Sequence, residues 1–584
     1  MLRKLLRSVR EYKLASILSP ILVSCEVVIE CIIPMVIAEL VNRFTLGAEG
    51  LNLTEVLQYG GIVALLALLS LAFGATAGIA CSRASCGFAK NLRQDMFYSI
   101  QNFSFENIDR FSTSSLVTRL TTDVANVQNA YMMIIRTAIR APFMFVFAIA
   151  MAFTMGGRMA WIFAVVAPLL GLGLAFIASR TMPLFRRVFK KYDKLNSSVQ
   201  ENVKGMRVVK SYVREDYEKK KFSVASEEVC RDFTRAERIL ALNGPIMQLC
   251  LNVVMIFVLS VGSRIVVNSG GEALNVGHLS ALTTYGFMIL SSLMMLSMIF
   301  VMITMAGESA RRICEVLDET PTIDSPRDAV FEVADGSVEF DRVSFRYSAA
   351  ASRMALSEVS LNIKSGETVG VIGGTGSSKS TLIQLICRLY DVSEGSVKVG
   401  GRDVREYDLR TLRDNVAVVL QKNELFSGTI SENLRWGNPD ATDEELRHAA
   451  HLAAADEFID SFPDGYETHI EQGGANVSGG QKQRLCIARA LLKRPKILIL
   501  DDSTSAVDTR TDARIRRAMR EYIPETTKII IAQRISSVSD ADKIIVLDGG
   551  KIQAVGNHAE LMAGCEIYRE TYLSQNKAGD SDET

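Results

Sequence analysis

"ETVGVIGGTGSSKSTLIQLICRLY", residues 367–390, combines a buried apolar strand, a tight loop of small residues and the start of a helix. The loop almost matches the phosphate-loop pattern G-x-x-x-x-G-K-[ST]. Gly373, Lys379 and Ser380 fit this pattern. Ser378, however, stands where the glycine before the lysine belongs. Because a phosphate loop requires a strand before it and a helix after it, the stretch predicts an α/β nucleotide-binding domain.

Two further apolar strands carry polar residues at their ends. "KILILDDSTS" (496–505) ends its apolar run in two aspartates, and "KIIIAQR" (528–534) is a third strand. Backbone N–H groups of a phosphate loop cradle phosphate oxygens. Lys379 is then expected to reach the β- and γ-phosphates, while Ser380 and Asp501 support Mg²⁺. The sequence therefore predicts a nucleotide site with Mg²⁺.

Composition favours a membrane protein and excludes several other classes. The 584-residue chain is too long for one ordinary domain. Its mean hydropathy is positive, +0.18, which favours membrane segments. The 65 basic and 65 acidic residues cancel, so charge gives no sign of a nucleic-acid partner. Ten cysteines without C-x-x-C pairs indicate reduced thiols. His448 and His451 are spaced as on a solvated helix face and not as a metal pair.

The first half of the chain is predicted to span a membrane six times, because six apolar stretches are long enough for a hydrocarbon core of about 30 Å. The basic N-terminus "MLRKLLRSVREYK" predicts a cytoplasmic start by the positive-inside rule. The first stretch is too long for a cleavable signal and lacks a small-residue cleavage site. The stretches lie near residues 15–43, 57–81, 135–156, 159–180, 245–268 and 278–305.

Two long segments between the stretches, residues 82–134 and 181–244, are rich in arginine and lysine and are expected inside the cell. Their helical periodicity predicts that the membrane helices continue into the cytoplasm. The midpoints of these excursions are residues 105–124 and 199–216. Solvated helical hairpins are the alternative interpretation of both.

Glu26 and Glu30 lie four residues apart in the first apolar stretch and hence on one face of its helix. A buried acid in a membrane span is a functional hypothesis by default. Direct contact with a substrate or a cation is therefore one interpretation. An interhelical hydrogen bond or a water-facing cavity wall is the other.

Composition changes after the last apolar stretch. Residues 1–306 are predicted to form an all-α six-helix transmembrane domain with long cytoplasmic extensions, and the polar, turn-rich residues 307–335 a linker. Residues 336–573 are predicted to form the α/β domain, within which "SVEFDRVSFRY" (337–347) alternates like a strand pair. The polar tail, residues 574–584, is expected to be disordered and without a role.

"VSGGQKQR" (477–484) completes a set of five motifs, and with it the chain resembles the ATP-binding cassette (ABC) transporter family. The six spans followed by one cassette resemble an exporter half-transporter over essentially the whole chain. The resemblance implies a P-loop ABC ATPase domain, in which "SAVD" (505–508) is the D-loop. It also implies that two cassettes hold two ATP molecules between them, and that the two cytoplasmic excursions are coupling helices.

The resemblance assigns residues to three roles. Tyr347 is expected to stack on adenine, and "VSGGQ" is expected to contact the ATP of the other cassette. The residues assigned to nucleotide contacts are Tyr347, Gly373, Gly374, Thr375, Gly376, Ser377, Ser378, Lys379, Ser380, Thr381, Ser478, Gly479, Gly480 and Gln481. Support of Mg²⁺ falls on Ser380, Gln421 and Asp501. Catalytic positions fall on Gln421, Asp502 and Gln533.

Four positions depart from the family pattern. Asp502 stands in place of the glutamate that acts as general base, so its carboxylate falls about 1.5 Å, one carbon–carbon bond, further back. A misplacement of about 1 Å can cost roughly 10²-fold in rate. Gln533 replaces the switch-loop histidine, and glutamine donates a hydrogen bond but cannot carry a proton charge. Gln472 replaces a glutamate before the signature, and Ser378 a glycine that adopts positive φ freely.

The departures at Ser378, Asp502 and Gln533 concern the nucleotide that this chain's own cassette holds, whereas the signature is intact. The pattern resembles the degenerate half of a heterodimeric, multidrug-type exporter in a bacterial cytoplasmic membrane. Such a subunit binds ATP and Mg²⁺, hydrolyses ATP slowly, and completes the active site of a second half-transporter. The implied cargo is a hydrophobic or amphipathic small molecule, lipid or peptide.

Two other functions stay open at this point. A homodimer could use Asp502 as a slow catalytic base. A non-transporting membrane sensor could signal its ATP-bound state to a partner such as a kinase. For Ser378 alone, a tolerated substitution without consequence is the alternative.

Overall fold

The computed structural model describes most of the chain, namely residues 1–45, 53–348, 353–502 and 507–580. The chain forms two compact units. The first unit comprises Met1–Asn102 and Phe111–Glu319, and the second comprises Phe103–Arg110 and Thr320–Thr584. The described part of the first unit is helical throughout, which agrees with the predicted all-α domain.

The helices of the first half, α1 to α12, include several that are far longer than a bilayer is thick. Helix α3 has 49 residues, which at roughly 1.5 Å per residue makes it about 74 Å long. The twelve helices are α1 Leu2–Leu5, α2 Lys13–Thr45, α3 Leu53–Gln101, α4 Phe105–Arg110, α5 Thr113–Thr118, α6 Val124–Ile135, α7 Thr137–Gly156, α8 Trp161–Lys204, α9 Met206–Ser211, α10 Glu215–Leu240, α11 Asn243–Ser269 and α12 Val276–Asp318.

Within the described residues, five helical runs are long and apolar enough to cross a membrane. The third run, Thr113–Phe185, contains both the third and the fourth predicted stretches. A short turn at Gly157–Ala160 separates α7 from α8 inside it. Gly157 has φ +49°, which glycine adopts without a steric penalty, so the chain can change direction there. The runs are Leu2–Thr45, Leu53–Gln101, Thr113–Phe185, Glu215–Ser269 and Val276–Asp318.

The second unit is an α/β structure with three sheets. Its strands are β1 Val338–Phe345, β2 Leu356–Ile363, β3 Thr368–Ile372, β4 Glu394–Val399, β5 Arg402–Asp403, β6 Val416–Val419, β7 Gly428–Thr429, β8 His469–Ile470, β9 Ile497–Asp501, β10 Thr527–Ile531, β11 Lys543–Asp548 and β12 Lys551–Gly556. Its helices, besides α4, are α13 Lys379–Ile386, α14 Leu409–Asn415, α15 Ile430–Arg435, α16 Asp443–Leu452, α17 Asp456–Ile459, α18 Gly479–Leu492, α19 Thr509–Tyr522, α20 His558–Gly564 and α21 Glu566–Asp580.

The central sheet has six strands in the order β12-β11-β3-β10-β9-β6, and β12 is its antiparallel edge. The other five strands are parallel. Every residue of β9 is buried, which explains its unbroken apolar run, since both faces of a parallel sheet are covered. A four-stranded antiparallel sheet, β2-β1-β4-β5, and the two-stranded β7-β8 complete the unit.

The predicted strand pair at residues 337–347 is wrong, because the structure has one strand there, β1. Its register shifts between Phe340 and Val343 against β2. Arg342, inside the shift, has φ +46°. The irregularity kinks a single strand and supplies no turn that could reverse the chain.

Helix α4 lies near the midpoint of the first predicted cytoplasmic excursion, residues 82–134, and belongs to the second unit. The hydroxyl of Tyr390 donates to Asp109 at 2.5 Å. The buried side chain of Asn107 accepts from the Thr322 backbone N–H at 3.2 Å and donates to the carbonyl of Thr320 at 3.0 Å. These bonds tie α4 to the start of the second unit's main segment. In the second predicted coupling segment, α9 forms a short helix between α8 and α10.

Candidate functional site

The site is built where three neighbouring strands end. β3, β10 and β9 are parallel neighbours, and Ile531 of β10 pairs with Val371 of β3 and with Asp501 of β9. Since the carboxyl ends of parallel strands meet at one edge of the sheet, the loops that follow them lie side by side. The loop after β3 carries the phosphate-loop residues, and Gln533 follows β10. One cavity of about 560 Å³ lies at this edge.

The cavity brings together most of the residues predicted from the sequence. Those that line it are Gly373, Gly374, Thr375, Gly376, Ser377, Ser378, Lys379, Ser380, Thr381, Gln421, Asp501, Asp502 and Gln533. The side chains therefore converge as the motifs predict, and their roles toward a nucleotide stay predictions.

The loop backbone combines one tightly enclosed glycine with open positions that face the cavity. A Cβ at Gly373 would lie 2.1 Å from the carbonyl oxygen of Leu547, so only glycine fits where the loop passes β11. Cβ atoms at Gly374 and Gly376 would meet nothing within 4 Å, which leaves space for a ligand. Ser378 adopts φ +73° and ψ +25°, the left-handed conformation that glycine takes most easily.

Lys379 begins helix α13 and folds back over the loop. Its ammonium group donates to the carbonyls of Gly373 at 2.7 Å and Gly374 at 2.8 Å, and to the hydroxyl of Ser377 at 3.3 Å. Burial lowers the pKa of Lys379, and the nearby Asp501 opposes this effect. Phosphate oxygens next to this ammonium would stabilise its charged form. The donor set thus fits a triphosphate.

The predicted metal supports are in direct contact. The hydroxyl of Ser380 donates to Oδ2 of Asp501 at 3.1 Å. Burial raises the pKa of the Asp501 carboxyl above its usual value. A hydroxyl and a carboxylate are the oxygen ligands that Mg²⁺ prefers, and the cation would restore the charged carboxylate. These residues therefore fit Mg²⁺ held with a nucleotide.

The two departures at the catalytic positions form one pair. Nε2 of Gln533 donates to Oδ2 of Asp502 at 2.8 Å, and Nε2 of Gln421 lies 3.4 Å from the same oxygen. Burial raises the pKa of Asp502, while the hydrogen bonds from both amides lower it. Asp502 has φ +48°, so its backbone also lies in the left-handed region. Asp502 is thus held by amide donors at the edge of the cavity.

Tyr347 lies beside the cavity and not in its lining. Its hydroxyl donates to Oε1 of Gln384 at 2.7 Å and lies 2.9 Å from the hydroxyl of Thr381. Its ring meets those of Phe345 and Tyr390 edge-on, with centroids 4.9 and 5.2 Å apart. The residue is still nearly half exposed, so its stacking on a planar group stays a prediction.

The signature does not join the cavity of this chain. Ser478 caps helix α18: its hydroxyl accepts from the Gln481 backbone N–H at 3.3 Å, and the Gln481 side chain accepts from the Ser478 N–H at 2.8 Å. Gly479 and Gly480 form the first turn of the helix. Residues 503–506, which include the first two residues of the D-loop, lie outside the described residues, but Asp508 caps α19 by accepting from the backbone N–H of Thr511 at 2.9 Å.

The sequence did not indicate the C-terminal helix as part of the site. Ile567, Tyr568 and Thr571 of α21 line the cavity. The helix also continues past residue 574 and ends at Asp580, so the expectation of a disordered tail is wrong for residues 574–580. No local pattern could have placed α21 here, because its contacts join segments far apart in the chain.

Glu26 and Glu30 meet a shared partner in the first unit. Arg140 of α7 contacts Oε1 of Glu26 at 2.7 Å and both carboxylate oxygens of Glu30 at 2.7 and 2.8 Å. Oε1 of Glu26 also lies 2.8 Å from where a Cβ of Gly74 would be, so α3 packs closely on this group. The arrangement agrees with the interhelical interpretation, and contact with cargo stays a prediction.

Comparison with known proteins finds two family models that match successive parts of the chain. Residues 16–304 match the family model of the ABC transporter transmembrane region, and residues 356–505 match the family model described as ABC transporter. The uncharacterized ABC transporter ATP-binding protein YfiB of Bacillus subtilis is 35% identical over 574 residues, 98% of each chain. An uncharacterized ABC transporter ATP-binding protein of Mycobacterium tuberculosis is 38% identical over 500 residues, 85% of each chain.

A solved structure has the same fold. A bacterial Atm1-family ABC exporter with ATP bound superposes with a TM-score of 0.83 at 25% identity, covering 97% of this chain and 98% of the exporter chain. The two chains therefore share one fold over almost their whole length. The chain belongs to the ABC transporter family, as a multi-pass membrane protein with an Atm1-type exporter fold that couples ATP hydrolysis to transport.

Proposed function

We propose that this chain is the degenerate half of a heterodimeric exporter: it holds ATP at its own cassette, hydrolyses it slowly, and completes a competent site on a different half-transporter. The observation that carries the proposal is the Asp502–Gln533 pair. A base must reach the proton that it removes, and Asp502 is one methylene shorter than glutamate. Its Oδ2 already accepts from Gln533 at 2.8 Å. Gln533 has no protonatable nitrogen to relay a charge.

Nucleotide binding is retained because the groups that hold charge are in place. Lys379, Ser380 and Asp501 line the cavity together. Mg²⁺, held there with ATP, would neutralise phosphate charge. Lys379 would orient the β- and γ-phosphates, and the face of Tyr347 would accept the adenine. The site is therefore fit to bind, whereas its hydrolytic positions are altered.

The intact signature supports a role toward a partner. Gly479 and Gly480 begin helix α18, so their backbone N–H groups and the helix dipole can receive phosphate oxygens. None of the signature residues lines the cavity that this chain's own phosphate loop forms. A second cassette is needed to bring a signature and a phosphate loop together.

The cargo proposed for the pair is hydrophobic or amphipathic. In the first unit, a second cavity of about 300 Å³ lies between α2 and α12. Its lining combines apolar residues such as Pro34 and Met288 with the polar Glu30 and Thr284. A largely apolar cavity with few polar groups suits a small molecule, lipid or peptide of mixed polarity.

The proposed membrane is the cytoplasmic membrane of a bacterium, with the N-terminus and the ATPase domain in the cytoplasm. The basic N-terminal segment supports this orientation. ATP binding would bring the cassettes together, the coupling segments would transmit this to the spans, and hydrolysis at the partner's site would reset the cycle.

The test places the glutamate and the histidine of the family pattern at positions 502 and 533. ATP turnover would be measured for the full-length chain alone, for the double variant Asp502→Glu/Gln533→His, and for the chain co-purified with its partner half-transporter. Both residues change together because Asp502 and Gln533 form one hydrogen-bonded pair and both depart from the family pattern. We expect slow turnover by the chain alone, an increase of about 100-fold in the double variant, and fast turnover by the pair. Fast ATP turnover by the wild-type chain alone, with no increase in the double variant, would make Asp502 a working base and would favour a homodimer.

A further inference from the structure

The C-terminal helix α21 is packed against the loop that carries Gln533. Tyr568 is fully buried in a small core that also contains Ala532 and Ile535, one on either side of Gln533. Thr571, one turn further along α21, lines the cavity. The helix is therefore anchored beside the loop by its apolar face.

Gln575, one turn beyond Thr571, holds the backbone of the same loop at two points. Its Oε1 accepts from the N–H of Ile535 at 2.9 Å, and its Nε2 donates to the carbonyl of Gln533 at 2.8 Å. One carboxamide thus satisfies a donor and an acceptor two residues apart. A carboxylate could make only the first bond and an apolar side chain neither, so the pairing requires an amide of this length.

The loop held in this way carries a side chain of the phosphate cavity. The Gln533 side chain donates to Asp502 at 2.8 Å and lines the cavity with Lys379 and Ser380. In a phosphate loop the lysine reaches the β- and γ-phosphates and the following hydroxyl reaches Mg²⁺. Gln533 therefore lies at the end of the cavity where ATP differs from ADP.

We infer that Gln575 is a positioning residue for the γ-phosphate end of this chain's nucleotide site. It fixes the backbone at Gln533 and Ile535, which orients the Gln533 side chain and gives the site its preference for ATP over ADP. The inference rests on the nucleotide binding in the proposed function and is independent of the division of labour with a partner.

The test compares Gln575→Leu, which removes both bonds, with Ser574→Leu, a neighbouring exposed position on the same helix. Dissociation constants would be measured by calorimetry for Mg²⁺ with a non-hydrolysable ATP analogue and for Mg²⁺ with ADP, on the full-length protein in lipid nanodiscs. We expect Gln575→Leu to lower the preference for the ATP analogue over ADP about tenfold. Ser574→Leu is expected to keep the wild-type preference.

A second variant separates the two bonds. Gln575→Glu keeps an acceptor for the N–H of Ile535 but removes the donor to Gln533, so we expect an intermediate preference. An unchanged preference in Gln575→Leu would overturn the inference. So would an equal loss of affinity for both nucleotides, which a purely structural role predicts. Because neither ligand is hydrolysed, these outcomes do not depend on whether Asp502 is a base. A wild-type chain that bound neither nucleotide would overturn the proposed function itself.

Discussion

Ser378 and Asp502 both depart from the family pattern, and both hold left-handed backbone conformations, with φ +73° and +48°. For a residue with a Cβ, this conformation costs about 1–2 kcal/mol. Strained positions of this kind cluster at functional sites, where the surrounding structure keeps them in place. The two residues border one cavity, so the strain lies where the nucleotide is expected to bind.

Ser378→Gly is expected to raise the thermal midpoint of the full-length protein by roughly 1–2 °C. Removing the Cβ relieves the left-handed strain, and the larger entropy of glycine in the unfolded chain offsets part of the gain. Ser377→Gly is the matched control. Ser377 is buried and has no positive φ, so its replacement is expected to lower the midpoint. Equal destabilisation by both variants would show that Ser378 carries no strain. The midpoints would be read from intrinsic fluorescence in detergent.

At the element scale, one arginine joins two membrane helices. Arg140 of α7 contacts the carboxylates of both Glu26 and Glu30, which lie on a single face of α2. Its one positive charge balances only one of these two negative charges. Glu26 is buried, and its Oε2 makes no hydrogen bond among the described residues. Buried ion pairs add little net stability, but breaking one leaves an uncompensated charge. The cluster is therefore a strong constraint on how α2 and α7 pack.

Arg140→Met is expected to destabilise the full-length protein by roughly 3 kcal/mol or more, because two carboxylates lose their partner. The triple variant Arg140→Met/Glu26→Gln/Glu30→Gln is expected to recover most of this loss. Arg43→Met serves as the control, since Arg43 is exposed and each of its ion pairs, with Glu39 and with Glu55, contributes less than about 1 kcal/mol. Unfolding midpoints and the yield of folded protein would be compared. A midpoint in Arg140→Met equal to that of the Arg43 control would contradict this account of the packing.

The same residues show how far sequence reasoning extends. Lys379, Ser380 and Asp501 could be predicted because each follows an apolar strand at a fixed spacing, and parallel strands bring their ends together. The positive φ at Ser378 was expected, since the pattern has glycine there. Arg140 and Gln575 could not be found. Their partners lie 110 and 42 residues away, and nothing local marks either side chain as one half of a pair.

At the scale of the whole molecule, the asymmetry between phosphate loop and signature is the central feature. ABC exporters function as dimers in a bilayer, and this chain's signature helix lies outside its own phosphate cavity. In a heterodimer, damage to the signature of this chain affects the partner's competent site. Damage to Asp502 affects only a site that already turns over slowly. In a homodimer, both changes affect the same sites.

The most direct test measures ATP turnover of the purified pair with either Gly479→Asp or Asp502→Asn in this chain. Gly479 is in the first turn of α18, where an aspartate suits the helix dipole but repels a triphosphate. We expect Gly479→Asp to reduce turnover about 100-fold and Asp502→Asn to change it by less than about threefold. Equal loss of turnover in both variants would contradict the division of labour and would identify Asp502 as a working base in two equivalent sites.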